Sequence, residues 1–271
     1  MSGPSVRTPA VAGTFYPAHG ETLASMVDGF VADAASAGAR ERAAAPGAPE
    51  ALIVPHAGYV YSGPTAGHAY AALAAAREGV ERVVLIGPAH YVPVAGIATT
   101  SLGGLATPLG AVPVDDAARS DALDLGVSID DDAHAPEHSL EVQLPFLQRV
   151  LGAFRALPLV VGRTAPEAVA SVLDALWGGP DTVVVVSTDL SHYHDYQTAR
   201  ARDRRTADAV VDGRVDSIAG DDACGAPALA GVMLVARRRG LTTRVLDLRS
   251  SGDTGGPRER VVGYGAFAVD R

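Results

Sequence analysis

The sequence predicts an α/β fold: a mostly parallel central sheet with helices on both faces, similar in order to doubly covered open sheets. Two observations carry this reading. Four short runs, 51-ALIV, 82-RVVLIG, 156-ALPLVVG and 182-TVVVVS, are aliphatic or β-branched at nearly every position, as strands buried on both faces are. Helix-like segments separate them, and that alternation is the order of parallel α/β sheets.

Taken along the chain, an opening helix is expected around residues 21–35, followed by an Ala-, Gly- and Pro-rich surface connection over 36–49. The spacing of apolar residues then predicts helices over 65–77, 138–151, 166–177 and 199–211. The tail holds two strand-like runs, 243-TRVLDL and 261-VVGYGAFAV, around a Gly-rich turn, and these should close one edge of the sheet. No internal repeat interrupts the order. With 271 residues, 48% hydrophobic, the chain can bury a substantial core, read as one domain over 1–271.

Charge narrows the partners. A net charge of −9 opposes strong attraction to phosphate backbones or anionic lipid, so nucleic acid and membrane surfaces are not expected. The opening MSGPSVRTPAVAGTFYP lacks the basic start and apolar run of a secretory signal, and no stretch is apolar enough to span a bilayer. A cytoplasmic protein is the expectation. One cysteine, Cys224, leaves three roles: buried filler, reactive thiol or metal ligand.

Chemistry gathers where strands end. Three runs pass directly into polar residues: ALIV into Pro55-His56, VVLI into Gly87-Pro88-Ala89-His90, and VVVV into Ser187-Thr188-Asp189-Leu190-Ser191-His192. Carboxyl ends of parallel strands share one edge, where α/β proteins bind ligands, so His56, His90, Asp189 and His192 should converge. A lone histidine after a strand is more often a hydrogen-bonded structural residue; three on one edge weigh against coincidence. Cys224 precedes the helix-like run ALAGVMLVARRRG, and a helix N-terminus favours a thiolate. Two imidazoles and a thiolate would suit Fe(II), Cu or Zn.

His134 and His138 lie four apart, but Pro136 disfavours a helix through them, so they are not expected to chelate together. His138 and Glu141 should instead open a helix and hydrogen-bond near the site. Tyr59 and Tyr61 are candidates for the pocket lining, with burial beside the sheet the equal alternative. The string 252-GDTGG resembles a serine-protease loop with Thr254 in the nucleophile's place, and Asp189, Ser191 and His192 lack the elbow of a triad. No glycine-rich nucleotide loop occurs.

These residues resemble the Memo family, the AmmeMemoRadiSam system protein B of prokaryotes. The matching segments are AGTFYP, PHAGYVYSG, IGPAHYVP, EHSLEVQLPF, STDLSHY, Cys224-Gly225 and the closing VVGYGAFAV, in the family's order along nearly the whole chain. The resemblance implies a fold similar to class III extradiol ring-cleaving dioxygenases, with a cysteine in place of their carboxylate ligand and an association with iron and copper. Carried over, it makes His56, His90 and Cys224 metal ligands and Asp189 and His192 the flanking catalytic pair. It also implies a radical-SAM system partner.

The expected activity is an Fe(II)-dependent oxidoreductase acting with O2 on a small, catechol-type substrate, with His192 as acid/base and Asp189 tuning it. The alternatives are a non-catalytic copper- or iron-binding redox or partner-binding protein, and a Zn-dependent hydrolase.

Overall fold

The computed structural model describes residues 5–37, 48–75 and 79–271; the expected connection over 36–49 and the end of the helix expected over 65–77 lie in part outside them. Its centre is four parallel strands in the order β2-β9-β3-β8: β2 (Ala51–Val54), β9 (Thr182–Ser187), β3 (Arg82–Pro88) and β8 (Arg155–Val161). These are the four runs read from the sequence.

Neighbouring residues on each strand enter opposite cores. Val183 and Val185 join the cluster beneath α1 (Gly20–Ala37), α2 (Tyr59–Ala74) and α5 (Leu144–Leu151), while Val184 and Val186 join the cluster beneath α6 (Pro166–Leu176) and α8 (Ala226–Arg239). A strand alternates its side chains across the sheet, so cover on both faces requires apolar residues at every position. Each such valine contributes about 1.5–3 kcal/mol by burial; Val184→Asp would bury an unpaired carboxylate instead.

The flanks are antiparallel, which makes the nine-stranded sheet mixed. β12 (Val261–Asp270) pairs antiparallel with β2 on one side and with β11 (Thr242–Ser250) on the other, closing that edge as the tail predicts. The short β10 (His192–His194) also joins β12, with a register shift between its two ends. At the far side β4 (Ile97–Thr99) runs antiparallel to β8 and carries β7 (Ser128–Ile129). A second, three-stranded sheet unites β1 (Val6–Arg7), β5 (Gly104–Thr107) and β6 (Gly110–Pro113).

Three helices depart from expectation. α2 begins at Tyr59, six residues early, with Pro64 inside it. α7 spans Tyr196–Val211, started by Asp195, whose carboxylate accepts from the Gln197 and Thr198 amides. Residues 138–151 form a 3₁₀ turn over Glu141–Gln143 and an α-helix only from Leu144. Pro145 sits in the first turn of that helix, where its missing N–H is tolerated. His138 and Ser139 precede the 3₁₀ turn, with the His138 carbonyl accepting the Val142 amide at 3.1 Å. The 252-GDTGG string is a short helix, α9 (Ser251–Thr254), closed by a Ser250–Asp253 capping box. Among the described residues no helix is long and apolar enough to cross a membrane.

Candidate metal centre

Because β2, β9 and β3 are adjacent and parallel, Val54, Ser187 and Pro88 end side by side. His56, Asp189 and His90 each stand two residues beyond their strand. The predicted convergence is real: the His56 and His90 rings lie 5.1 Å apart, centroid to centroid.

A closed hydrogen-bond chain decides which nitrogen of His56 faces the centre. Tyr70 Oη donates to Gln143 Oε1 at 2.8 Å, so the Gln143 amide nitrogen points on, donating to the Pro55 carbonyl at 3.0 Å and to Ser187 Oγ at 2.8 Å. Ser187 Oγ gives its one proton to the Ser139 carbonyl at 2.6 Å. Towards His56 Nδ1, 2.9 Å away, that oxygen can only accept. His56 therefore carries its proton on Nδ1 and turns the lone pair of Nε2 towards Cys224 Sγ, 3.3 Å distant.

His90 is fixed by a different partner to the same effect. Glu137 Oε2 accepts the His90 backbone amide at 2.6 Å, and Oε1 lies 2.9 Å from Nδ1. Burial alone would raise the Glu137 pKa, but the hydrogen bonds from His90 and Ser139 bring it down to about 2. A carboxylate on one imidazole nitrogen, leaving the other free, is the usual support of a metal-binding histidine.

His138 completes the group. Its ring stacks on His90 with centroids 4.8 Å apart and meets His56 edge-on at 5.5 Å. His56, His90 and His138 each offer a ring nitrogen within 4.8 Å of the others, a set that could hold a metal ion. His138 Nδ1 is buried without a hydrogen-bond partner. Burial, opposed by Glu137, lowers the His138 pKa to about 4, and burial also holds His56 well below the usual range. The His56 and His138 rings therefore present neutral, donor-competent nitrogens near neutral pH. The orphaned nitrogen and this three-nitrogen donor set fit a borderline cation, with His138 in the group where the sequence placed Cys224. The group opens to solvent beside His90, whose side chain is 29% exposed.

Cys224 reaches the centre on a loop that packs against the end of β9. Gly225 makes this approach possible: a Cβ there would lie 2.8 Å from Thr188 Cβ, and its amide donates to Thr188 Oγ1 at 2.9 Å. The expected thiolate-favouring effect of the α8 N-terminus is overridden. Burial, then the nearby Asp189 carboxylate, pushes the thiol up to about 12, so a cation is needed to draw off its proton.

Asp189 is buried, and burial raises its carboxyl pKa to about 7 against the hydrogen bond from the His56 amide at 2.7 Å. That contact differs from the expected one, because the carboxyl binds the His56 backbone rather than the His192 ring. His192 is half-buried in β10, its ring held by the Leu190 carbonyl and its pKa lowered by burial.

Tyr59 and Glu141 serve the core rather than the centre. Tyr59 is a core residue packed on Phe146, its hydroxyl donating to the Val142 carbonyl at 2.6 Å. Tyr61 is 40% exposed at the start of α2. Glu141 turns away to Arg7, Tyr16 and the Ala10 and Val11 amides. His134 Nε2 donates to the Ala98 carbonyl at 3.2 Å, and His134 is not in the metal-competent group with His138. Sequence reasoning assigned His138 to the pocket wall and missed Glu137, Ser187 and Gln143. The signal for Glu137 was its place beside His138 in EHSLEVQLPF.

Comparison with known proteins agrees along the whole chain. The family model described as Memo-like protein matches residues 7–268. A MEMO1 family protein of Methanopyrus kandleri is 35% identical over 282 residues, covering 98% of this chain and 99% of its own. Those of Ignicoccus hospitalis and Aeropyrum pernix are 36% and 34% identical, covering 96% and 97% of this chain and 97% and 99% of theirs.

Proposed function

The chain belongs to the Memo-like family, and on that premise we propose that it is a non-haem metal-dependent oxidoreductase, using Fe(II) and O2 on a small catechol-type substrate. The observation that carries this reading is the paired support of His56 and His90: each has Nδ1 engaged, by Ser187 and Glu137, His56 Nε2 faces Cys224, and both rings offer a nitrogen within 4.8 Å of one on His138. His56, His90 and Cys224 are the proposed ligands, with His138 as a fourth donor. When bound, iron or copper supplies Lewis acidity and one-electron redox capacity.

The protein's own groups handle the protons. His192, neutral near pH 7 because burial lowers its pKa, accepts the proton of a phenolic hydroxyl and returns it to product. Asp189, raised to about 7, stores a second proton within the centre while its carboxyl fixes the His56 backbone.

Anaerobically iron-loaded protein, given O2 and a panel of catechols, should consume O2 with at least one of them, and His192→Gln should lower that rate about 10²–10⁴-fold with metal content unchanged. No consumption with any catechol would overturn ring cleavage. A second reading, a non-catalytic copper or iron redox protein, is favoured by the 3.3 Å contact of the oxidisable Cys224 with His56. It predicts metal lost in Cys224→Ala and His56→Ala without any turnover in the parent protein.

A further inference from the structure

A groove of about 390 Å³ lies between α7 and β11 on the flank of the sheet, lined by Gln197, Arg200, Arg204, Arg249, Asp203 and Asp253 among others. Arg200 and Arg204 stand one helical turn apart on the same face of α7. Among the described residues neither makes an ion pair, whereas Arg202 between them pairs with Asp222 and Arg249 with Asp247.

Like charges four apart on a helix repel each other weakly, a repulsion that an anion between them would relieve. Two more arginines without ion pairs gather at the same end: Arg258 lies over the Tyr196 ring at 4.5 Å, which Arg200 also approaches at 5.5 Å, and Arg260 lies over Tyr193 at 4.9 Å.

The carboxylates that line the groove are engaged elsewhere. Asp253 accepts from Tyr196 Oη at 2.5 Å and from the Ser250 amide and hydroxyl at 2.9 and 3.0 Å. Asp203 is buried and accepts the Ser191 amide at 3.0 Å. Asp203 thus faces inward, whereas Asp253 is exposed at the rim and feels the charge of Arg200 without forming an ion pair with it.

We propose that this groove binds a small phosphomonoester, its phosphate held between Arg200 and Arg204. Guanidinium forks match phosphate oxygens two by two, Gln197 offers an amide to the same group, and the volume suits a ligand of metabolite size. The site is separate from the metal centre and does not depend on the reading given to it.

The test is calorimetric titration of the full chain with phenyl phosphate, with phenol and inorganic phosphate as comparison probes. Phenyl phosphate should bind more tightly at low salt than at high, inorganic phosphate more weakly, and phenol not at all. Arg200→Gln and Arg204→Gln should each weaken binding roughly tenfold or more, while Arg237→Gln, an exposed arginine on α8, should leave it unchanged. Both test residues are exposed, so the variants should keep the parent's melting temperature. Absence of phenyl phosphate binding at millimolar concentration, or binding indifferent to both α7 variants, would overturn the assignment.

Discussion

Glu137 and Glu141 are four residues apart in the same short segment, and both are buried, yet they serve different regions. Glu137 faces the carboxyl edge of the sheet and spends both oxygens on His90 and the Ser139 amide. Glu141 faces the chain's beginning and closes a knot: Arg7 Nη1 at 2.7 Å, the Ala10 and Val11 amides at 2.7 and 3.0 Å, and Tyr16 Oη at 2.5 Å. Arg7 is itself satisfied by the His134 and Glu137 carbonyls. A buried carboxylate is thus not evidence of a site. What distinguishes Glu137 is that its partner keeps a second, unoccupied donor atom, whereas every donor around Glu141 is used up by it.

The comparison breaks cleanly if the two are mutated separately. Glu141→Ala leaves a buried guanidinium and two amides short of a partner, which should cost about 3–5 kcal/mol in chemical denaturation. The folded fraction should still bind metal with the parent's stoichiometry. Metal loss in step with stability would mean that the knot and the centre are one cooperative unit.

Glu137→Gln should behave in the opposite way. The amide keeps one acceptor but loses the charge that steadies His90, so affinity for the bound metal should fall roughly 10- to 100-fold with a smaller loss of stability. Competition with a chelator of known affinity measures the first and denaturation the second. Ser187→Ala probes the matching support of His56: it strands His56 Nδ1 and one Gln143 proton in the interior, for about 1–3 kcal/mol. Metal affinity should also fall, because the ring is then free to place its proton on Nε2.

The edge was legible because each of its strands is apolar at every position and ends abruptly in histidine or aspartate, a pattern that parallel pairing turns into proximity. That pattern pointed to His56, His90 and Asp189, whereas Cys224 follows no strand and entered as a ligand only through the family resemblance. The supports were not legible. Ser187 reads as the last residue of a strand and Gln143 as a helix residue, and nothing local says that Tyr70, 73 positions away, orients that amide. The expected helix over 138–151 hid His138, since a helical reading points it along α5, whereas the α-helix begins only at Leu144. The region over 92–130, with β4 to β7 and the small sheet, was unread because its strands are two to four residues long, too short for periodicity to register.

His134 offers the finest test, because it belongs to the knot's side of the same segment and titrates without touching the centre's donors. Burial lowers its pKa to about 4, although the Ala98 carbonyl opposes the shift. A folded pKa below the unfolded value means that the unfolded chain binds the proton first as pH falls. The contribution to stability is then complete above the unfolded pKa of about 6.5 and is lost progressively towards about 4. Between about pH 6.5 and 5.5 the loss should be about 1 kcal/mol. His134→Gln keeps a donor for Ala98 and removes the titration, so the difference between the two stability profiles isolates this residue from His56 and His138. Parallel profiles over that interval would show that His134 is solvated in the native state and that the knot is looser than its hydrogen bonds imply.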